Sequence, residues 1–161
     1  MSRILKTRKI PLNLRVRLLE QCIIPVMTYG AQTWTITPAV IEKLQVAQRA
    51  MERALLGITL RDRRRNSWIR DKTKMIDIGE RIAQLKWDFA GHVARLKDGR
   101  WTGKMVQWRP WAERRSRSRP AARWSDDLKK TAGLHWIREA QDRKNWQIKK
   151  EAYVKKWTPT G

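Results

Sequence analysis

Ile78-Gly79-Glu80-Arg81-Ile82-Ala83-Gln84-Leu85-Lys86-Trp87-Asp88-Phe89-Ala90-Gly91-His92-Val93-Ala94-Arg95-Leu96 decides the fold class. Ile78, Ile82, Leu85, Phe89, Val93 and Leu96 recur at alternating spacings of four and three, with one extra step of four. That is the period of an α-helix with one buried face. Asp98-Gly99 closes it with a turn.

The same period extends outward from this stretch. Upstream, Leu12, Val16, Leu19, Ile23 and Val26 mark a helix over about 12–29, which Pro25 is expected to kink or end. Gly30 offers a further stop. Thr37 reads as an N-cap and Pro38 as the first position of a helix over 38–56. Its stripe is Ile41, Leu44, Ala47, Met51, Ala54 and Leu55, and Gly57 stands where a glycine cap belongs. A short helix is expected around Trp68 and Ile69. Downstream, helices are expected over about 121–132, ended by Gly133, and 136–156. Trp124 and Leu128 mark the first, and Trp136, Ala140, Trp146, Tyr153 and Trp157 the second. Strand-like alternation is confined to Thr33-Trp34-Thr35-Ile36. The expected fold is all-α, a bundle of five to six helices. Three segments follow from composition: a helical region at 1–98, a basic Arg/Trp-rich and partly flexible connector at 99–120, and a helical pair at 121–161.

Charge narrows the function. Among 161 residues, Lys and Arg number 37 against 15 Asp and Glu, a formal charge of +22. Such a surplus repels itself, and a polyanionic partner relieves that repulsion. The sequence pI of about 11.3 is that of a nucleic-acid-binding chain. Arg outnumbers Lys, and its planar fork suits phosphate. A hydrophobic content of 41% argues against full disorder, and the 10 Trp allow a sizeable core.

Other classes are disfavoured. A single Cys, Cys22, forms no internal disulfide or Cys-rich zinc site and reads as core; two His are too few for a His-based metal cluster. No apolar run approaches the roughly 18–20 residues that span a bilayer. The basic start from Met1 lacks a following apolar segment with a cleavage site, which points to an intracellular chain. Early Arg and scarce acids leave a mitochondrial presequence open.

Two basic clusters are the candidate nucleic-acid sites. The first is Arg61, Arg63, Arg64 and Arg65, in a charged turn that leads into a helix N-terminus. The second is Arg109, Arg114, Arg115, Arg117, Arg119 and Arg123, interleaved with Trp108, Trp111 and Trp124. Arg among aromatics suits backbone tracking and base stacking, although buried Trp is the commoner role. Ser116 and Ser118 would weaken this patch if phosphorylated. Adjacent Asp126 and Asp127 invite a metal reading, but on a helix they point about 100° apart. Helix-end stabilisation and pairing with Lys130 suit them better. His92, with Asp88 one turn before it, lacks a nucleophile to serve and reads as a structural histidine. No glycine-rich phosphate loop is present.

Five segments, in order, carry a resemblance: Thr28–Trp34, Leu56–Ile58 with 61–66, Trp87–Arg95, Arg119–Asp127 and Gln141–Trp146. Together they resemble the C-terminal region, thumb and beyond, of the reverse transcriptases of non-LTR (LINE-type) retrotransposons. The likeness runs from about Leu12 to about Trp157. It implies a thumb-like helical region at 1–98 that holds a primer–template duplex, with the remainder binding RNA or target DNA. The full-length relatives are endonuclease-reverse transcriptases, RNA-directed DNA polymerases that nick their target.

The chain departs from the family at its chemistry. The polymerase Asp-Asp on a strand hairpin has no counterpart, and Asp126-Asp127 does not correspond to it. The endonuclease domain and the Cys/His finger have none either, and Ser118 replaces a common Gly. The resemblance implies nucleic-acid binding without catalytic or metal-binding residues in this chain, with Mg²⁺ expected only for the parent polymerase. Expected partners are RNA, DNA or hybrid duplex and the parent's palm domain, with no membrane, in a nuclear setting. The rival reading is a domesticated or decayed remnant acting as a helical protein-interaction module.

Overall fold

A computed structural model of the chain describes Thr7 and residues 9–97, 99, 101–107 and 122–158. Among these residues the secondary structure is entirely helical, as expected of an all-α fold. The elements are α1 (Leu12–Leu18), a π-helical turn (Leu19–Ile23), α2 (Ile24–Met27), α3 (Pro38–Leu56), α4 (Asn66–Thr73), α5 (Ile78–Arg95), α6 (Trp101–Gln107), α7 (Asp126–Ala132), α8 (Trp136–Glu139) and α9 (Arg143–Lys155). Two 3₁₀ turns, Ala31–Thr33 and Leu60–Asp62, lie in the connections.

Pro25 does not end the first helix. It occupies the first turn of α2, where its missing N–H costs least. The π turn just before it widens the backbone, the usual way a helix accommodates a ring that would clash one turn back. Helix α3 starts at Pro38 as expected. Its end is a Schellman cap: Gly57 has φ +67°, its N–H reaches Ala54 O, and Ile58 N–H reaches Arg53 O at 3.0 Å.

The chain forms two compact units. Among the described residues the first draws on 7–29, 38–81 and Thr158, and the second on 30–37, 82–107 and 122–157; α5 begins in the first and continues in the second. In the first unit Leu19, Ile24, Ile41, Leu55, Ile69, Met75 and Ile78 are buried. The inward line of α3 is otherwise polar. Gln45, Gln48 and Glu52 are buried, whereas Leu44 and Met51 are only half-buried and Ala47 is exposed.

Those polar groups have a task, because the start of α5 needs partners for its free N–H groups. Gln48 accepts from Ile78 N–H at 2.7 Å and donates to Ile76 O at 2.9 Å. Asp77 accepts from Gly79 N–H at 2.8 Å, as an N-cap does. Gln45 and Arg70 donate to the same carboxylate, at 2.9 and 2.6 Å.

The second unit is built on aromatic rings. Trp87, Trp136, Trp146 and Tyr153 are buried with Ala83, Ala90, Leu128, Ala132 and Ala140. The buried side of α5 is therefore offset from the simple apolar count: Leu85 is 37% exposed, Phe89 is half-buried, and Trp87 and Lys86 are fully enclosed. Trp124 donates to Gln32 O at 2.8 Å and so ties the 30–37 segment into this unit.

Helix boundaries also move here. The helix expected at 121 starts at Asp126, because Asp126 Oδ2 takes the Arg123 N–H at 2.9 Å and holds a turn ahead of it. The helix expected over 136–156 is broken into α8 and α9. Asp142 causes the break by accepting from both Lys144 and Asn145 N–H as the N-cap of α9.

Candidate nucleic-acid interface

Arg61, Arg63, Arg64 and Arg65 fall on one turn of the first unit, and all four side chains are exposed. The turn is shaped by a capping box. Asp62 Oδ2 accepts from Thr59 N–H at 2.6 Å and from Thr59 Oγ1 at 3.0 Å. Those hydrogen bonds hold the Asp62 carboxyl below its usual range, so it stays ionised and locked. Arg63 follows in the left-handed region at φ +47°. Arg65 then takes the N-cap position of α4 without a side-chain cap.

Trp68 anchors the far side of the turn. Arg64 lies over its ring at 5.2 Å and Lys72 at 5.9 Å, both cation–π distances. Arg53 reaches Asn66 Oδ1 at 3.3 Å and braces the turn against α3. The result is a solvent-facing group of guanidiniums whose backbone is fixed by Thr59, Asp62 and Gly57. Trp68 and Lys72 were not singled out from sequence as part of this site; their spacing of four on the helix that follows the arginines was the available signal.

Of the second cluster, Arg123 is described: it is half-buried in the second unit, and its backbone N–H donates to Asp126 Oδ2. Arg109, Arg114, Arg115, Arg117 and Arg119 lie outside the described residues, as do Trp108, Trp111, Ser116 and Ser118. Trp124 is an internal ring, set edge-on to Phe89 at 6.2 Å and Trp136 at 6.1 Å, with Lys86 over its face at 5.1 Å.

The remaining candidates resolve as follows. Asp127 accepts from Lys86 Nζ and Tyr153 Oη, each at 2.8 Å. Burial lowers the Lys86 pKa against the pull of Asp127, and burial beside that carboxylate raises Tyr153. Among the described residues no group of three His, Cys, Asp or Glu converges as a metal site. His92 is exposed, and Asp88, one turn before it, binds Lys150 at 2.7 Å. Cys22 is exposed, not core. Among the described residues no helix is long and apolar enough to cross a membrane.

No family model matches the chain, and no solved structure matches it significantly. Over 147 residues the chain is 36% identical to an uncharacterized transposon-derived protein of Caenorhabditis elegans. That alignment covers 83% of this chain and 53% of the relative, so the chain spans about half the length of the curated protein it matches. This likeness supports a transposon-related origin for the chain.

Proposed function

We propose that the chain is the nucleic-acid-gripping C-terminal part of a non-LTR retroelement reverse transcriptase, with no active site of its own. It would hold primer–template duplex, RNA or target DNA by its phosphates, beside the palm domain of the parent polymerase in a nuclear setting. The observation that carries this reading is the exposed turn bearing Arg61, Arg63, Arg64 and Arg65 in a chain of +22 charge. The order of the sequence motifs and the transposon-derived relative support it. Guanidiniums on a fixed backbone neutralise phosphates and release counterions, which yields affinity without sequence preference. Mg²⁺ belongs to the parent polymerase in this reading.

A salt titration tests it. With about six phosphates engaged, log K against log salt for duplex DNA slopes at about −5. Replacing Arg61, Arg63, Arg64 and Arg65 with Ser flattens that slope; affinity independent of salt overturns the reading. A remnant acting as a protein-interaction module is favoured by one observation: Leu14, Val26 and Tyr29 on the first helical segment and its end are 50%, 75% and 85% exposed. Unchanged nucleic-acid retention in the Ser variant would move the balance to that module.

A further inference from the structure

Helix α4 is pinned by its inner side. Ile69 is fully buried, Thr73 Oγ1 donates to Ile69 O at 3.1 Å, and Arg70 pairs with Asp77 at 2.6 Å. Trp68 and Lys72, four residues apart, share one face of this helix, the indole half-buried and the ammonium stem exposed. Among the described residues the ring-to-ring contacts all lie in the second unit, so Trp68 stacks on no other aromatic side chain. Two cations lie over its ring instead, Arg64 at 5.2 Å and Lys72 at 5.9 Å. Trp87, Trp136 and Trp146, by contrast, are buried.

Between 61 and 72 six cations stand against two carboxylates, and one of those, Asp62, is already engaged by Thr59. A cation over a solvent-facing ring is held weakly, whereas an aromatic base gains more by stacking on the same ring. A nucleotide brings both partners for an exchange. Its phosphate draws the guanidinium or ammonium off the indole, and its base takes the vacated face. A base inside a duplex is already stacked and paired, so the exchange requires an unpaired nucleotide.

We propose that Trp68, flanked by Arg64 and Lys72, is a stacking platform for an unpaired nucleotide, so that the turn at 61–65 engages single-stranded nucleic acid. The inference rests on the nucleic-acid reading above and deepens it. Phosphates supply the grip, and the indole tells an unpaired strand from a duplex. Every base has a π-face, so the platform tolerates any base.

The test uses the full chain and fluorescein-labelled probes read by anisotropy: a mixed-sequence single strand of about 12 nucleotides, the same strand without its bases, and the matching duplex. The abasic strand keeps every phosphate and offers nothing to stack. Trp68→Ala is expected to weaken binding of the base-bearing strand about 5- to 100-fold and to leave abasic and duplex binding unchanged. The salt slope stays as in wild type, because no charge is lost. Trp68→Leu, apolar but without a π-face, keeps the packing and gives the same loss, and Trp68→Phe recovers most of it. The strand is tried as DNA and as RNA; a loss on either supports the platform, and the larger loss identifies the favoured sugar. Equal losses on all probes, or wild-type binding by Trp68→Leu, reduce the indole to a support for the turn and overturn the platform. No loss on any probe, with weaker binding by the Ser variant of 61–65, refutes the platform and leaves the functional reading standing. If the wild-type chain binds none of the probes, both fall.

Discussion

Trp87 and Trp146 each donate the indole N–H to the other's main-chain carbonyl, at 3.0 and 3.1 Å, across rings stacked 4.0 Å apart and tilted by 14°. Both rings are buried, so each polar edge is satisfied by the backbone of its stacking partner. Helices α5 and α9 are thereby fixed in register at one point. Replacing Trp146 with Phe keeps most of the apolar area but removes the indole N–H that Trp87 O accepts across the two helices. The expected loss is about 1–3 kcal/mol, read by chemical denaturation together with the near-UV circular dichroism of the stack.

Gly91 lies directly under this pair. A Cβ there would stand 2.5 Å from Trp146 Nε1 and 2.8 Å from Trp146 Cδ1. Gly91→Ala, which ordinarily favours a helix, is expected to destabilise the chain by about 1–3 kcal/mol through overpacking. A melting temperature equal to or above wild type would contradict this contact.

Asp127 holds both Lys86 and Tyr153 in the same core. Asp127→Ala leaves the fully enclosed Lys86 ammonium uncompensated, an expected cost of about 3–5 kcal/mol. Lys86→Met combined with Asp127→Leu removes both charges and should cost far less than the single change. The double-mutant comparison is made by urea unfolding.

Glu52 sets a pH dependence in the first unit. Its side chain is 2% exposed and Oε2 has no hydrogen-bond partner. Burial pushes its pKa up to about 7, against the pull of Arg70 and Arg49; Asp77 pushes the same way as burial, while a hydrogen bond from Gln48 opposes it. The folded state therefore holds a proton that the unfolded chain releases near 4.5. Between those values the native state binds more protons, so stability falls as pH rises from about 4.5 to 7 and then levels off. The drop is about 3 kcal/mol. Glu52→Gln is expected to flatten that part of the curve, measured as melting temperature against pH.

Local signals were legible in the sequence, and non-local ones were not. Gly57 and Pro38 mark the ends of α3 because caps depend on a few neighbouring residues. The turn at 61–65 is likewise local, and its four arginines are exposed ahead of a short helix. The inward face of α3 was hidden because Gln45 and Gln48 are buried to serve the start of α5, a partner that a hydrophobic count does not see. Lys86 was hidden in the same way by Asp127. Asp142 lies inside the amphipathic pattern read as one helix over 136–156, and its carboxylate starts a new helix there. Arg95 and Ala140 lie far apart in the chain, and only the fold brings the guanidinium onto that carbonyl, at 2.7 Å.

Among the described residues two non-glycine positions, Arg63 at φ +47° and Lys74 at φ +54°, adopt the left-handed backbone, and both are cations. Glycine would take either conformation more cheaply, by about 1 kcal/mol. Folding and charge thus pull these two sites in opposite directions. An engineer who optimised the chain for heat resistance alone would choose glycine at 63 and 74, and would strip two positive groups from its surface in doing so.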